Sequence, residues 1–233
     1  MNMQVKPIQR GLSEPRVKET LARLHKAARG DALVFLRGLP DALAAKARGK
    51  SLFDGFEPHM KNAFIQISHG AGEAIYNTAR AINAKRIVEF GTSFGVSTIY
   101  LACAVRDNGG GKVIGSELEP TKVAAARDNI NAAGLSAYVE IREGDAMKTL
   151  ADVEAPVDLV LLDGWKDLYM PLLKLLTPKL RRGSVVFADN INTFRKTLRP
   201  YVTHMRDPQN GFVTTTLSTG SGLEYSVYVG SEN

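Results

Sequence analysis

Cysteine is almost missing from this chain. Cys103 is the only one among 233 residues, so no intramolecular disulfide can form. It lies in the apolar stretch 97–105 and reads as a small core residue rather than a nucleophile. No apolar run approaches the ~20 residues of a membrane span. The opening stretch, MNMQVKPIQRGLSEPR, has no apolar core of a signal peptide. Both absences predict a cytoplasmic protein that does not enter a membrane. Aromatic residues are scarce, at 7%. The Gly-x-Gly-x-x-Gly dinucleotide fingerprint is also lacking, which speaks against a nicotinamide-dependent dehydrogenase.

What is present is a surplus of basic charge, placed unevenly. Residues 1–62 hold 12 Lys and Arg against 6 Asp and Glu, whereas residues 63–233 hold 18 of each. The basic residues of the first segment recur at helical intervals among Leu and Ala. That spacing reads as a solvated amphipathic face more readily than as a nucleic-acid surface. With 44% hydrophobic and 23% charged residues, the composition is that of a globular domain with a sizeable core.

The periodicity changes along the chain. Ser13-Glu-Pro-Arg offers an N-cap, and Val17, Leu21, Leu24 and Ala28 follow at helical spacing. A second helix spans roughly 31–47 with an interruption expected near Gly38-Leu-Pro40. A loop covers 49–58, and a further helix covers roughly 70–82. From Lys85 onward, strands and helices alternate: strands at 86–90, 112–116, 138–142, 157–162 and 184–188, each followed by a helix. Two last apolar runs, 212–217 and 225–229, suggest a hairpin. Five βα units and a hairpin predict an α/β fold, a doubly wound and mostly parallel sheet with helices on both faces. The expected organisation is an N-terminal helical extension, 1–62, followed by a domain at 63–233. The extension would serve as a lid or as the contact of a homodimer.

Chemistry concentrates at two strand ends. Val157-Asp-Leu-Val-Leu-Leu-Asp-Gly-Trp-Lys166 is a buried strand that stops at Asp163, where open α/β sheets place their ligands. Gly183-Ser-Val-Val-Phe-Ala-Asp-Asn190 repeats the pattern. Each acid alone reads as a helix cap. Side by side, Asp163, Asp189 and Asn190 are hard oxygen donors suited to Mg²⁺ or a similar divalent cation.

A third strand end, Ile87-Val-Glu-Phe-Gly-Thr-Ser-Phe-Gly-Val-Ser97, forms a strand, a glycine turn and a helix start. Gly91 lets the backbone approach a ligand, and Ser97 lies in a helical first turn able to bind a carboxylate. Glu117 ends the next strand, placed to accept from ribose hydroxyls. Asp145 either faces an adenine or caps the short helix after it. Glu89, within a buried strand, is costly unless an ammonium group meets it. Glu89, Gly91, Ser97 and Glu117 suit a ligand with an amino acid at one end and a nucleoside at the other, which is the shape of S-adenosylmethionine.

From about Ile65 to Val229 the sequence resembles catechol O-methyltransferase, within the class I S-adenosylmethionine-dependent methyltransferases. Three segments carry the likeness: Asp163-Gly-Trp-Lys-Asp-Leu-Tyr169, Ala188-Asp-Asn190 and Gly222-Leu-Glu224. The resemblance implies a seven-stranded, Rossmann-like sheet with a reversed last hairpin. It implies Mg²⁺ on Asp163, Asp189 and Asn190, and Lys166 as general base with its pKa lowered by the metal. Asn190 and Glu224 would contact the substrate together with Lys166. Glu117 would hold the ribose, Ser97 the methionine carboxylate, and Glu89 the methionine end. Ile67, Leu118, Asp145, Ala146, Asp163 and Trp165 would line the cofactor. Two departures stand out: the family's His before Trp is Gly164, and a cofactor-contacting Ser is Ala146. Both would loosen the adenine end. The activity so implied is Mg²⁺-dependent methyl transfer to a hydroxyl of a catechol-like small molecule. The alternative is a non-catechol acceptor, either a vicinal diol of a natural product or nucleic acid. The chain lacks the Asn/Asp-Pro-Pro-aromatic motif used on exocyclic amines.

Overall fold

A computed structural model describes residues 11–28, 31–49, 55, 59 and 66–230. Most of the loop expected over 49–58 and the expected 62/63 boundary lie outside the described residues. Helix α1 (Pro15–Ala27) starts where Pro15 fixes the first turn. Its N-cap is Glu14 rather than Ser13, because the Glu14 carboxylate accepts from the backbone N–H groups of Arg16 and Val17. Helix α2 (Asp31–Ala47) runs through Pro40 without the expected break. A proline inside a helix removes one backbone hydrogen bond, and the remaining turns here hold the element together. Helix α3 (His69–Ala81) is capped by the Ser68 hydroxyl, which accepts from Ala71 N–H.

The sheet then assembles as expected. Strands β1 (Arg86–Phe90), β2 (Lys112–Glu117), β3 (Val139–Glu143), β4 (Val157–Leu162) and β5 (Leu180–Ala188) are parallel. Between them lie α4 (Val96–Asp107), α5 (Pro120–Ala132), α6 (Ala146–Thr149) and α7 (Tyr169–Leu176). Helix α8 (Arg195–Arg206) precedes the hairpin of β6 (Phe212–Leu217) and β7 (Leu223–Tyr228), and β7 runs antiparallel to both β5 and β6. The strand order is β3-β2-β1-β4-β5-β7-β6. Helix α7 ends with its apolar run at Leu176, since Pro178 follows in a tight turn. Strand β5 starts at Leu180, four residues before the expected start at Ser184, because Arg181 and Arg182 extend it without being buried. Arg181 binds Asp158, which also accepts from the backbone N–H groups of Lys85 and Arg86.

Strand periodicity divides the core in two. Ile87, Leu159, Leu161, Val185 and Phe187 face one layer, with Ile75 of α3, α4 from Val96 to Val105, and Ala126 and Ile130 of α5. Val17, Leu21 and Leu24 of α1 pack into that same layer. Val88, Phe90, Val160, Leu162, Val186 and Ala188 face the other layer with α7 and α8. Both faces of β4 are covered, which is why all six of its residues are buried. The carboxyl ends of β1, β2, β4 and β5 are thus brought side by side. No helix among the described residues is long and apolar enough to cross a membrane.

Candidate active site

Strand β1 turns sharply at Gly91, whose φ is +93°. A methyl group at Gly91 would stand 2.7 Å from the carbonyl carbon and oxygen of Asp163, so only glycine lets the two strand ends meet. Gly95, at φ +84°, opens α4 and lies against Ala126. Between them, the Ser93 N–H donates to Glu117 Oε2 at 2.7 Å. The N–H groups of Leu118 and Glu119 donate to Glu117 Oε1 at 2.9 and 3.0 Å. The Glu117 carboxylate is therefore fixed at the end of β2, with one lone-pair site on Oε2 remaining for a ligand.

Glu89 is fully buried below this turn. Its Oε2 accepts from the hydroxyls of Thr98 at 2.5 Å and Thr92 at 3.1 Å. Its Oε1 has no hydrogen-bond partner among the described residues. Burial pushes the Glu89 carboxyl above the usual range, against the hydroxyls of Ser97, Thr98 and Thr92. An orphaned, buried carboxylate oxygen is an unusual cost, and a ligand ammonium group would satisfy it. Ser97 lies buried in the first turn of α4 and Ile67 is buried just before α3. Leu118 and Trp165, by contrast, are large apolar side chains left 66% and 47% exposed just past the ends of β2 and β4, the strands on either side of β1. Asp145 caps α6 by accepting from Met147 N–H at 2.9 Å, the helix-cap side of its two expectations. Ala146, the first residue of α6, is buried.

The second half of the site gathers at the ends of β4 and β5. Lys166 opens a short turn before α7, and its Nζ lies 3.6 Å from Asp163 Oδ1. The same Nζ donates to Tyr169 Oη at 2.8 Å, and Tyr169 Oη donates to the Asp189 carbonyl at 3.2 Å. Nζ also sits 5.0 Å above the Tyr169 ring and 5.6 Å from the Phe194 ring. Burial lowers the Lys166 pKa, against the attraction of Asp163 and Asp189. The depression expected from a metal thus has an independent source in desolvation. Burial pushes Asp163 well above its ordinary range; Lys166 opposes the shift, and the charges of Asp189 and Glu89 add to it. Asp189 is raised by burial too, although it accepts from Asn190 N–H at 2.7 Å and Ser221 Oγ at 3.3 Å. Asn190 itself takes a left-handed φ of 67°, and its amide donates to Ser221 Oγ at 2.5 Å.

No group of three His, Cys, Asp or Glu side chains suited to a metal occurs among the described residues. The oxygen set here has two carboxylates and an amide instead. Crowded, desolvated carboxylates with raised pKa values are a donor set that a hard divalent cation would neutralise.

Glu224 is the expected site residue that stands apart. It is fully buried on β7, opposite Ala188 of β5. Its carboxylate pairs with Arg206 Nε at 3.4 Å and accepts from the hydroxyls of Thr214 and Thr216. These contacts lie within β6, β7 and α8 rather than with Lys166 or Asp163. Three contributors were missed in the sequence. Tyr169, which pins Lys166, stood in the quoted segment and carried the signal. Thr92 and Thr98 were findable only as hydroxyls flanking the glycine turn. The departure at Gly164 gains a reason: a methyl group there would stand 2.5 Å from the Phe90 ring, which fills the place of a larger side chain.

Residues 88–191 match a family described as a methyltransferase domain. The chain is 34% identical over 131 residues to catechol O-methyltransferase of Niastella koreensis, covering 54% of this chain and 58% of that one. It is 34% identical over 128 residues to catechol O-methyltransferase of Mycobacterium tuberculosis, covering 54% and 57%. The chain thus spans a little over half the length of these curated relatives. A cofactor-bound crystal structure from MTB superposes with a TM-score of 0.66 and 26% identity, over 82% of this chain and 89% of that chain. An O-methyltransferase from Bacillus cereus in complex with SAH superposes at 0.65 and 22% identity, over 82% and 90%, and supports the fold. The chain therefore has the class I, Rossmann-like fold, matches a methyltransferase-domain family over residues 88–191, and resembles the catechol O-methyltransferases.

Proposed function

We propose that this protein is an S-adenosylmethionine-dependent O-methyltransferase acting on a catechol-like small molecule with the help of Mg²⁺. One observation carries the proposal: a buried lysine of depressed pKa lies 3.6 Å from a buried carboxylate at the strand ends where the cofactor groups converge. Bound there, S-adenosylmethionine supplies the methyl group, and a divalent cation supplies Lewis-acid polarisation of the acceptor oxygens.

The chain's own residues do the rest. Glu89 offers its free oxygen to the amino group of the methionine end, Ser97 its hydroxyl to the carboxylate, and Glu117 its fixed carboxylate to the ribose. Ile67, Leu118, Asp145, Ala146 and Trp165 line the nucleoside, with Leu118 and Trp165 offering exposed apolar surface. Asp163, Asp189 and Asn190 would hold the cation. A phenol titrates near ~10, so attack at neutral pH requires a proton acceptor. Lys166 fills that role because desolvation makes its neutral amine accessible, and Tyr169 holds Nζ in place. Tyr169 stays protonated, its pKa raised by burial and by the charges of Asp163 and Asp189. Asn190 orients the acceptor oxygens; Glu224, expected to accept from the hydroxyl that is not methylated, is left out of this role because Arg206, Thr214 and Thr216 engage its buried carboxylate. The catechol O-methyltransferase relatives support the substrate class.

Lys166→Ala tests the assignment. Turnover is expected to fall by about two or more orders of magnitude, the scale of a lost general base, while S-adenosylhomocysteine binding holds. An unchanged kcat in the folded variant would sink it.

A further inference from the structure

Helix α8 carries four basic residues, Arg195, Lys196, Arg199 and Arg206, and no acid. Arg195, Arg199, Val202 and Arg206 fall on one side of it and line a groove of about 470 Å³. Thr216 of β6 faces them, and Ile191 and Asn192 form the end nearest β5. Arg206 is matched by the buried Glu224 at 3.4 Å and also donates to Thr216 Oγ1 at 3.0 Å. Among the described residues, Arg195 donates only to the neutral Asn192 side chain, at 3.3 Å. Neither Arg195 nor Arg199 has an acidic partner among the described residues. Two arginines one helical turn apart, their backbones about 6 Å apart along the axis, therefore line the groove without a counter-charge among the described residues.

We infer that this groove recognises an anionic group, a phosphate or a carboxylate, on the tail of the methyl acceptor. The inference rests on the function proposed above and sharpens it. Position supports it first: Ile191 and Asn192 directly follow Asn190, so the groove opens beside the residue assigned to the acceptor. Their backbone N–H groups bond Gly222 and Ser221, which fixes that end of the groove against the β6–β7 turn. Chemistry supports it next, since guanidinium forks match carboxylate and phosphate oxygens bidentately. Size separates the occupants. The volume falls within the ~300–1,000 Å³ of small-molecule sites. A nucleic acid would call on many more cations than two. Ile191 and Val202 supply apolar wall for the linker between the reacting ring and the anion.

The test is calorimetric binding to the full chain in the presence of S-adenosylhomocysteine and Mg²⁺. The three probes are catechol, 3,4-dihydroxycinnamate, and a catechol bearing an alkyl phosphate monoester. Wild type is expected to bind at least one anionic probe about tenfold or more tightly than catechol, on the scale of one charge-assisted contact. Arg199→Gln and the Arg195→Gln/Arg199→Gln pair are expected to remove that preference and to leave catechol binding within about twofold. Whichever anionic probe is preferred identifies the group. Equal affinity for all three probes in wild type, or a preference that survives the double substitution, overturns the inference. Turnover of the same probes is read separately: charge preference without methyl transfer to any of them keeps the anion site and overturns the proposed reaction.

Discussion

Replacing Glu89 by Gln separates the cost of the cofactor site from its use. The carboxylate is fully buried, accepts two hydroxyl hydrogen bonds through one oxygen, and leaves the other without a partner. An unsatisfied buried group costs ~1–3 kcal/mol, more when charged. The amide of the Glu89→Gln variant would keep an oxygen for Thr92 and Thr98 and shed the charge. Stability of the ligand-free protein at pH 8 should therefore rise by ~1–3 kcal/mol, or ~2–4 °C in Tm for each kcal/mol in a chain of this size. The pH dependence has a definite sign. The folded-state pKa of Glu89 is raised, so the folded chain holds this proton more tightly than the unfolded chain. Its favourable contribution is complete below the ordinary glutamate range and is lost as pH rises through the folded value. The advantage of Glu89→Gln should accordingly grow with pH and vanish near pH ~4.5. The same variant should bind S-adenosylhomocysteine about tenfold to a hundredfold more weakly, since the ammonium contact loses its charge. Urea melts at a series of pH values and calorimetric binding read both effects. A variant less stable than wild type at pH 8, or one that binds the ligand unchanged, refutes the reasoning.

Three further outcomes follow from other parts of the site. Asp163→Ala should abolish stimulation by Mg²⁺, read as initial rate against metal concentration; retained stimulation would contradict the assigned oxygen set. Gly91→Ala combines a positive φ with a 2.7 Å approach to the Asp163 backbone, so it should lower stability by about 2 kcal/mol or more and weaken cofactor binding, read by melts and calorimetry. Tyr169→Phe removes the oxygen that holds Lys166 Nζ at 2.8 Å, and kcat should fall about tenfold with S-adenosylhomocysteine affinity unchanged; an unaltered kcat would free Lys166 from that support.

Much of this architecture is legible in the sequence because both of its governing signals are local. Val157–Leu162 is apolar at nearly every position, and only a strand covered on both faces needs that pattern. Asp163, Asp189 and Asn190 stand out because each ends such a strand with a polar residue. What escapes the sequence depends on partners distant along the chain. The cap of α1 passes from Ser13 to Glu14 through the reach of one side chain. Strand β5 begins at Leu180 because Arg181 finds Asp158, 23 residues away. Glu224 is engaged by Arg206, Thr214 and Thr216, a choice made by the pairing of β6 with β7 and the packing of α8. The Phe90 ring beside Gly164 belongs to the same class: its sequence neighbours give no sign that it fills the place of a missing side chain.

The most direct measurement is methyl transfer from S-adenosylmethionine to a panel of catechols, run with Mg²⁺ and with EDTA and read as S-adenosylhomocysteine and methylated product. The geometry at Asp163, Lys166, Asp189 and Asn190 predicts turnover on at least one catechol that Mg²⁺ supports and EDTA abolishes. Equal turnover in EDTA would contradict the metal role, and no turnover on any catechol, with S-adenosylhomocysteine still bound, would contradict the acceptor.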